Sequence, residues 1–211
     1  MIGIYGGTFD PIHYGHLRTA LEVKEAVGLD EVRFVPCRLP PHRAAPEADP
    51  ERRLRMLEIA LQDAEPGFRI DTRELNRPGP SYMVDTLGSI RKEIGARPLC
   101  LIVGMDAFLG LPYWHRWREL FDLAHLVVMR RPGTASDVLG ELEPYFRERR
   151  TDQKGTLSHQ PSGSIYFVDV TQLDISATRI REIFKTGKSA RYLIPEPLRR
   201  FILDQRLYLS S

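Results

Sequence analysis

Hydrophobic positions along the chain recur with two different periods, and the two alternate. Met1 to Tyr5 is a short apolar run that stops at Gly6-Gly7, the pattern of a buried strand. From Gly15 to Val27 the period lengthens. Leu17, Ala20, Leu21, Val23 and Val27 form one helical face, and Gly28 is placed to end the helix. Val32 to Cys37 reads as a second strand. Strand, helix and strand in this order make a βαβ unit, whose crossover leaves the two strands parallel.

The alternation continues to the end of the chain. Asp49-Pro50 opens a helix carrying Leu54, Leu57, Ala60 and Leu61, with proline at its favoured first position. Phe68 to Thr72 reads as a strand, and Ser81 as the cap of a helix reaching Ile94. Leu99 to Val103, ended by Gly104, is the clearest buried strand. Trp117 to Leu123 reads as helix, and His125 to Met129 as a strand stopped by Arg131-Pro132-Gly133. Ser136 to Arg149 is expected to be helical, kinked or divided at Pro144. Thr151 to Gly163 is polar and loop-like. Ser164 to Val168 is a last strand, and Ala177 to Lys185 and Leu198 to Asp204 are terminal helices.

The expected fold is therefore α/β, an open, doubly wound, mostly parallel sheet. One domain spans residues 1–211, with a small C-terminal helical part over 171–211. Such sheets bind ligands beyond the carboxyl ends of their strands. That directs attention to Gly6 to His16, Pro40 to Arg43, Gly104 to Asp106 and Arg130-Arg131.

Composition narrows the function classes. With 42% hydrophobic and 27% charged residues the chain is globular rather than disordered. A formal net charge of +2 does not by itself imply a nucleic-acid partner. The basic clusters at Arg52-Arg53, Arg147 to Arg150 and Arg199-Arg200 read as solvated surface or anion contacts. Cys37 and Cys100 are far apart and flanked by apolar runs, which predicts buried free thiols. No targeting segment is evident, and no apolar run approaches the ~18 residues of a membrane span. The expected location is cytoplasmic, with no membrane partner.

Two common phosphate motifs fail. No G-x-G-x-x-G follows the first strand. "TGKSA" at Thr186 to Ala190 ends like a P-loop, but the leading glycine would fall at Glu182 and a helix precedes it. "GGTFDPIHYGH", Gly6 to His16, remains. Gly6-Gly7 leaves backbone N–H groups approachable, and Gly15-His16 opens a helix whose N-terminus attracts anions. By residues alone, this is either an anion site or a surface loop with two solvated histidines. A zinc pair at His13 and His16 lacks a third ligand at helical spacing.

The stretch His13-Tyr14-Gly15-His16 resembles the signature of nucleotidyltransferases with an H-x-G-H motif. Their second signature, I-S-x-T-x-I-R, is matched by "ISATRIR" at Ile175 to Arg181. Between the two, "PPHR" (Pro40 to Arg43), "PSYMVDTL" (Pro80 to Leu87), "GMDAF" (Gly104 to Phe108), "LPYWHRW" (Leu111 to Trp117) and "RRPG" (Arg130 to Gly133) resemble the bacterial nicotinate-nucleotide adenylyltransferase family. The resemblance implies a Rossmann-like fold. It implies AMP transfer from ATP, accompanied by Mg2+, to nicotinate mononucleotide in NAD biosynthesis. The attack would be direct and in line, without a covalent enzyme intermediate. No metal held by the protein itself is expected, and no nucleic acid.

Residue roles follow from the same resemblance. His13 and His16 would be catalytic. Gly6, Gly7, Thr8 and Phe9 with both histidines would hold ATP at its α-phosphate end, and Ser176 and Arg181 its β- and γ-phosphates. His42 and Arg43 would reach the mononucleotide phosphate. Asp106 would accept from a ribose hydroxyl, or else cap a helix after Gly104. Trp114 would stack on the pyridine ring, or else Trp114 is simply core with Trp117 at the surface, or the reverse. Thr86, through hydroxyl and N–H, and the backbone N–H of His115 would bind the nicotinate carboxylate. A site of donors prefers the acid to the amide, because a carboxylate only accepts.

Overall fold

Six strands, β1 (Ile2–Gly7), β2 (Glu31–Pro36), β3 (Phe68–Ile70), β4 (Leu99–Gly104), β5 (His125–Arg130) and β6 (Ile165–Asp169), form one sheet in the order β3-β2-β1-β4-β5-β6. Every pairing is parallel. This is a doubly wound sheet, the fold class expected, and its direction reverses between β1 and β4. The computed structural model describes residues 1–41, 45–131, 138, 140–171 and 173–209.

The helices are α1 (Tyr14–Val27), α2 (Pro50–Leu61), α3 (Arg73–Asn76), α4 (Met83–Ile94), α5 (Met105–Leu109), α6 (Leu120–Leu123), α7 (Glu143–Arg149), α8 (Gly155–His159), α9 (Ala177–Lys185) and α10 (Glu196–Asp204). Side chains alternate across the sheet as strand geometry requires. Leu99, Leu101 and Val103 of β4 enter one core with Val84, Leu87 and Ile90 of α4. Cys100 and Ile102 enter the other, with Val23 and Val27 of α1 and Met56 and Leu57 of α2. Ile180, Phe184, Leu198 and Ile202 join this second core, so the C-terminal helices pack as part of the sheet's own layer. Cys37 and Cys100 are free and buried, as expected, and burial pushes the Cys100 thiol up to about 12. Among the described residues no helix is long and apolar enough to cross a membrane.

Local signals explain some element ends. Gly28 terminates α1 in the left-handed region at φ 79°. Asp49 caps α2 by accepting from the Arg52 N–H at 2.8 Å.

Other expectations need correction. Ser81 does not cap α4: its Oγ accepts from the N–H groups of Arg38 and Leu39, holding the chain after β2 instead. The segment is divided near Pro144 rather than kinked: a 3-10 turn over Gly140–Leu142 gives way to α7, whose first turn holds the proline. Of the expected helix over 136–149, residues 136, 137 and 139 lie outside the described residues. Thr151 to Gly163 contains α8, and β3 ends at Ile70 rather than Thr72.

The stripe on α2 is displaced. Its buried residues are Arg53, Met56, Leu57 and Ala60, whereas Leu54 and Leu61 are half-buried. Arg53, read from sequence as part of a surface cluster, is fully buried.

Candidate active site

The crevice at the carboxyl ends of β1 and β4 gathers the two signature motifs. Beyond β1 the chain folds back sharply. Phe9 takes φ 51°, and its ring fills the space where a Cβ on Gly7 would lie, 2.9 Å away. Glycine at position 7 is thus a packing requirement of the loop itself.

Two buried ionic groups fasten this loop from behind. The Asp10 carboxylate accepts from the Glu47 N–H at 2.8 Å, the Ala48 N–H at 3.2 Å and the Tyr208 hydroxyl at 2.5 Å. Arg53 donates to three backbone carbonyls: Thr8 at 2.8 Å, Ala48 at 3.2 Å and Arg38 at 3.4 Å. Its charge therefore lies directly behind Thr8. Neither Asp10 nor Arg53 stood out in the sequence as a site residue. The available signal for Arg53 was its place three residues before Met56 and four before Leu57, on a core-facing stripe.

His13 is the N-terminal flanking residue of α1 and His16 lies in its first turn. Their rings lie 3.7 Å apart at 30°. The His16 ring meets Phe9 and Tyr5 edge-on at 5.3 and 6.1 Å. Burial lowers the pKa of His13 to about 4, so the ring is neutral at pH 7. Its Nδ1 is buried without a hydrogen-bond partner. A Cβ on Gly15 would lie 2.9 Å from that nitrogen and 3.5 Å from the Ile175 carbonyl oxygen. Gly15 thus lets the His13 ring lie flat and lets the second motif approach the first.

That second motif closes the site. Ser176 caps α9, its Oγ accepting from the Arg179 N–H at 3.2 Å. Arg181 donates to the Asp10 carbonyl at 2.7 Å and to Glu47 Oε1 at 2.8 Å. Gly6, Gly7, Thr8, Phe9, His13, His16, Ser176 and Arg181 therefore belong to one neighbourhood.

Asp106, Trp114 and His115 follow β4, and Thr86 lies on α4. Asp106 is in the first turn of α5, whose cap is Gly104. Its carboxylate is exposed and makes no hydrogen bond among the described residues. Trp117 is core, packed on Tyr145 and Phe121, while Trp114 is half-buried. His115 is exposed and stacks on Tyr82 at 4.2 Å. Its backbone N–H makes no hydrogen bond among the described residues.

Thr86 is placed differently from expectation. It is fully buried, its hydroxyl donates to Glu74 at 2.5 Å and accepts from Arg77 at 2.9 Å, and its N–H donates to the Tyr82 carbonyl. Both of its donors are therefore engaged within the protein. Burial raises the pKa of Glu74, whose carboxyl this hydroxyl and Arg77 partly offset. His42 and Arg43 lie outside the described residues.

The cytidylyltransferase-like family model matches residues 4–183. A probable nicotinate-nucleotide adenylyltransferase of Methylococcus capsulatus is 60% identical over 99% of this chain and 99% of its own. The chain belongs to the nicotinate-nucleotide adenylyltransferase family. A second member, from Halorhodospira halophila, is 50% identical over 98% of this chain and 94% of its own. The solved Plasmodium falciparum nicotinic acid mononucleotide adenylyltransferase complexed with NaAD has the same fold. It aligns with a TM-score of 0.72 at 16% identity, covering 98% of this chain and 96% of its own. As a member of this family the chain is an enzyme of the nucleotidyltransferase class.

Proposed function

We propose that the enzyme transfers AMP from ATP to nicotinate mononucleotide. The observation that carries this is the meeting of the two motifs, His13 and His16 on one side and Ser176 and Arg181 on the other, at the sheet's switch point. The names of its relatives supply the substrate pair.

A phosphate oxygen of the mononucleotide attacks the α-phosphorus of ATP. The bond from that phosphorus to the bridging oxygen breaks, and pyrophosphate departs. The nucleophile is already an anion, so no general base, protein nucleophile or covalent intermediate is needed. Mg2+ carried with ATP would neutralise charge on the leaving pyrophosphate. The protein's part is alignment and stabilisation of developing charge. His16 and the loop amides at Gly7-Thr8 face the α-phosphate, with Arg53 adding buried positive charge behind them. His13, held neutral, acts through hydrogen bonds rather than as a cation. Arg181 supplies the fixed fork that suits phosphate oxygens.

On the acceptor side, Trp114 stacks on the pyridine and Asp106 accepts from a ribose hydroxyl. His42 and Arg43 reach the mononucleotide phosphate. The open N–H of His115 serves the nicotinate carboxylate. Thr86 reaches that carboxylate only by exchanging its present partners, Glu74 and Arg77.

The test is pyrophosphate release from ATP with nicotinate mononucleotide, nicotinamide mononucleotide and phosphopantetheine in parallel. Fast release with the first alone is expected. Equal rates with the first two would sink the preference for the acid, and turnover only with phosphopantetheine would sink the assignment.

A further inference from the structure

Arg181 and Lys185 stand four residues apart on α9, so they share a face of the helix. Both donate to one atom. Arg181 Nε and Lys185 Nζ lie 2.8 and 3.1 Å from Glu47 Oε1. A carboxylate oxygen flanked by a guanidinium and an ammonium has the surroundings that a terminal phosphate oxygen seeks. The other end of the Arg181 fork is fixed on the Asp10 carbonyl, in the loop that carries His13. The place is therefore anchored to the catalytic loop.

We propose that Arg181 and Lys185 form a two-cation clamp for the terminal phosphates of ATP, and that the Glu47 side chain fills this clamp until ATP displaces it. The proposal rests on the reading of the crevice as an ATP site and adds to it one binding residue, Lys185, and one competing anion, Glu47.

Glu47 is suited to give way without disturbing the loop. Its backbone N–H is held by Asp10 Oδ2, so the main chain stays in place. Its side chain is 38% exposed and can swing to solvent. The neighbouring anion, Asp10, cannot take its place. Its nearer carboxylate oxygen is 3.9 Å from Arg181, and the carboxylate is sealed by two amides and Tyr208. A cation already paired with an internal carboxylate binds an external anion less tightly, by the strength of the pair it must give up.

The test compares binding of ATP and of AMP, which lacks the terminal phosphates, by titration calorimetry on the wild type, Glu47→Gln and Lys185→Ala. Glu47→Gln is expected to tighten ATP binding about two- to fivefold, and Lys185→Ala to weaken it by a similar factor, the size of an exposed ion pair. AMP affinity should move in neither. Thermal unfolding of each variant checks that the fold is kept. Weaker ATP binding in Glu47→Gln would overturn the competition, since Glu47 would then be holding Arg181 in place. Unchanged ATP binding in Lys185→Ala would remove Lys185 from the clamp. A wild type that binds no ATP would overturn the ATP reading itself, an outcome distinct from normal wild-type binding with unshifted variants.

Discussion

His13 and His16 lie ring against ring, with centroids 3.7 Å apart and planes inclined by 30°. Two imidazolium ions at this separation would repel, and burial of His13 keeps at least one of the pair neutral. The arrangement presents two imidazoles at the start of α1, where helix amides also point.

The kinetic consequence concerns His16. A contact that strengthens as charge develops on the α-phosphate lowers the barrier without tightening the ground state. His16→Ala should therefore lower kcat by about two decades or more, with little change in KM for either substrate. Turnover close to wild type in this variant would remove the principal catalytic assignment.

Gly15 provides a separate test of the same geometry. In an isolated helix, Gly→Ala stabilises by about 0.5–1 kcal/mol. Here the added Cβ meets the His13 ring at 2.9 Å. Gly15→Ala should keep its melting temperature within a few degrees and lose about tenfold or more in kcat, as the ring is pushed out of line. A variant with full activity would show that the ring position is not critical.

The two tryptophans should separate binding from stability. Trp114 is half-buried, and on the proposed reading it stacks on the pyridine, so Trp114→Ala should mainly raise KM for the pyridine nucleotide. Trp117 is 4% exposed, and Trp117→Ala should destabilise the fold by about 3–5 kcal/mol in a denaturant titration. A rise confined to the KM for ATP in Trp114→Ala would show that the subsites are exchanged.

The α/β alternation and both motifs were legible because each rests on local pattern. Val32 to Cys37 and Leu99 to Val103 announced strands through their apolar runs, and Gly28 and Asp49 announced helix ends through their chemistry. What escaped depends on contacts between distant segments. Arg53 looks like its exposed neighbour Arg52 until the carbonyls of Thr8, Arg38 and Ala48 are brought around it. Ser81 has the chemistry of a cap, but the chain after β2 offers it two N–H donors first. Thr86 is a helix residue whose partners, Glu74 and Arg77, lie on and beside a four-residue helix that no periodicity reveals.

Acid should weaken the fold through His125. Its Nδ1 accepts from the Ser164 N–H at 3.1 Å, which places the ring proton on Nε2, donating to the Gln160 carbonyl at 2.9 Å. Protonation of Nδ1 abolishes the first bond, and burial lowers the folded-state pKa below the ordinary value near 6.5. The unfolded chain then binds the proton more readily than the folded one. The stability is fully present above pH 6.5 and is lost as pH falls through the depressed folded value. His13 acts in the same direction, with its window between about 6.5 and about 4. Urea midpoints measured from pH 7.5 to 5 should fall, and less steeply in His125→Phe. An unchanged slope in that variant would assign the effect to other groups.

Arg53 tests how far the loop after β1 depends on a buried cation. Arg53→Met keeps the bulk but leaves the carbonyls of Thr8, Ala48 and Arg38 without their donor. Each unsatisfied buried group costs about 1–3 kcal/mol, so a loss of about 3 kcal/mol or more is expected in chemical denaturation. Arg53→Lys retains the charge but cannot reproduce the planar fork that reaches three acceptors. It should recover only part of the stability. Because Thr8 lies in the loop proposed to hold the α-phosphate, the lysine variant should also show a reduced kcat when folded. Full stability and full kcat in Arg53→Lys would mean that a charge alone, without the three-way geometry, suffices behind the loop.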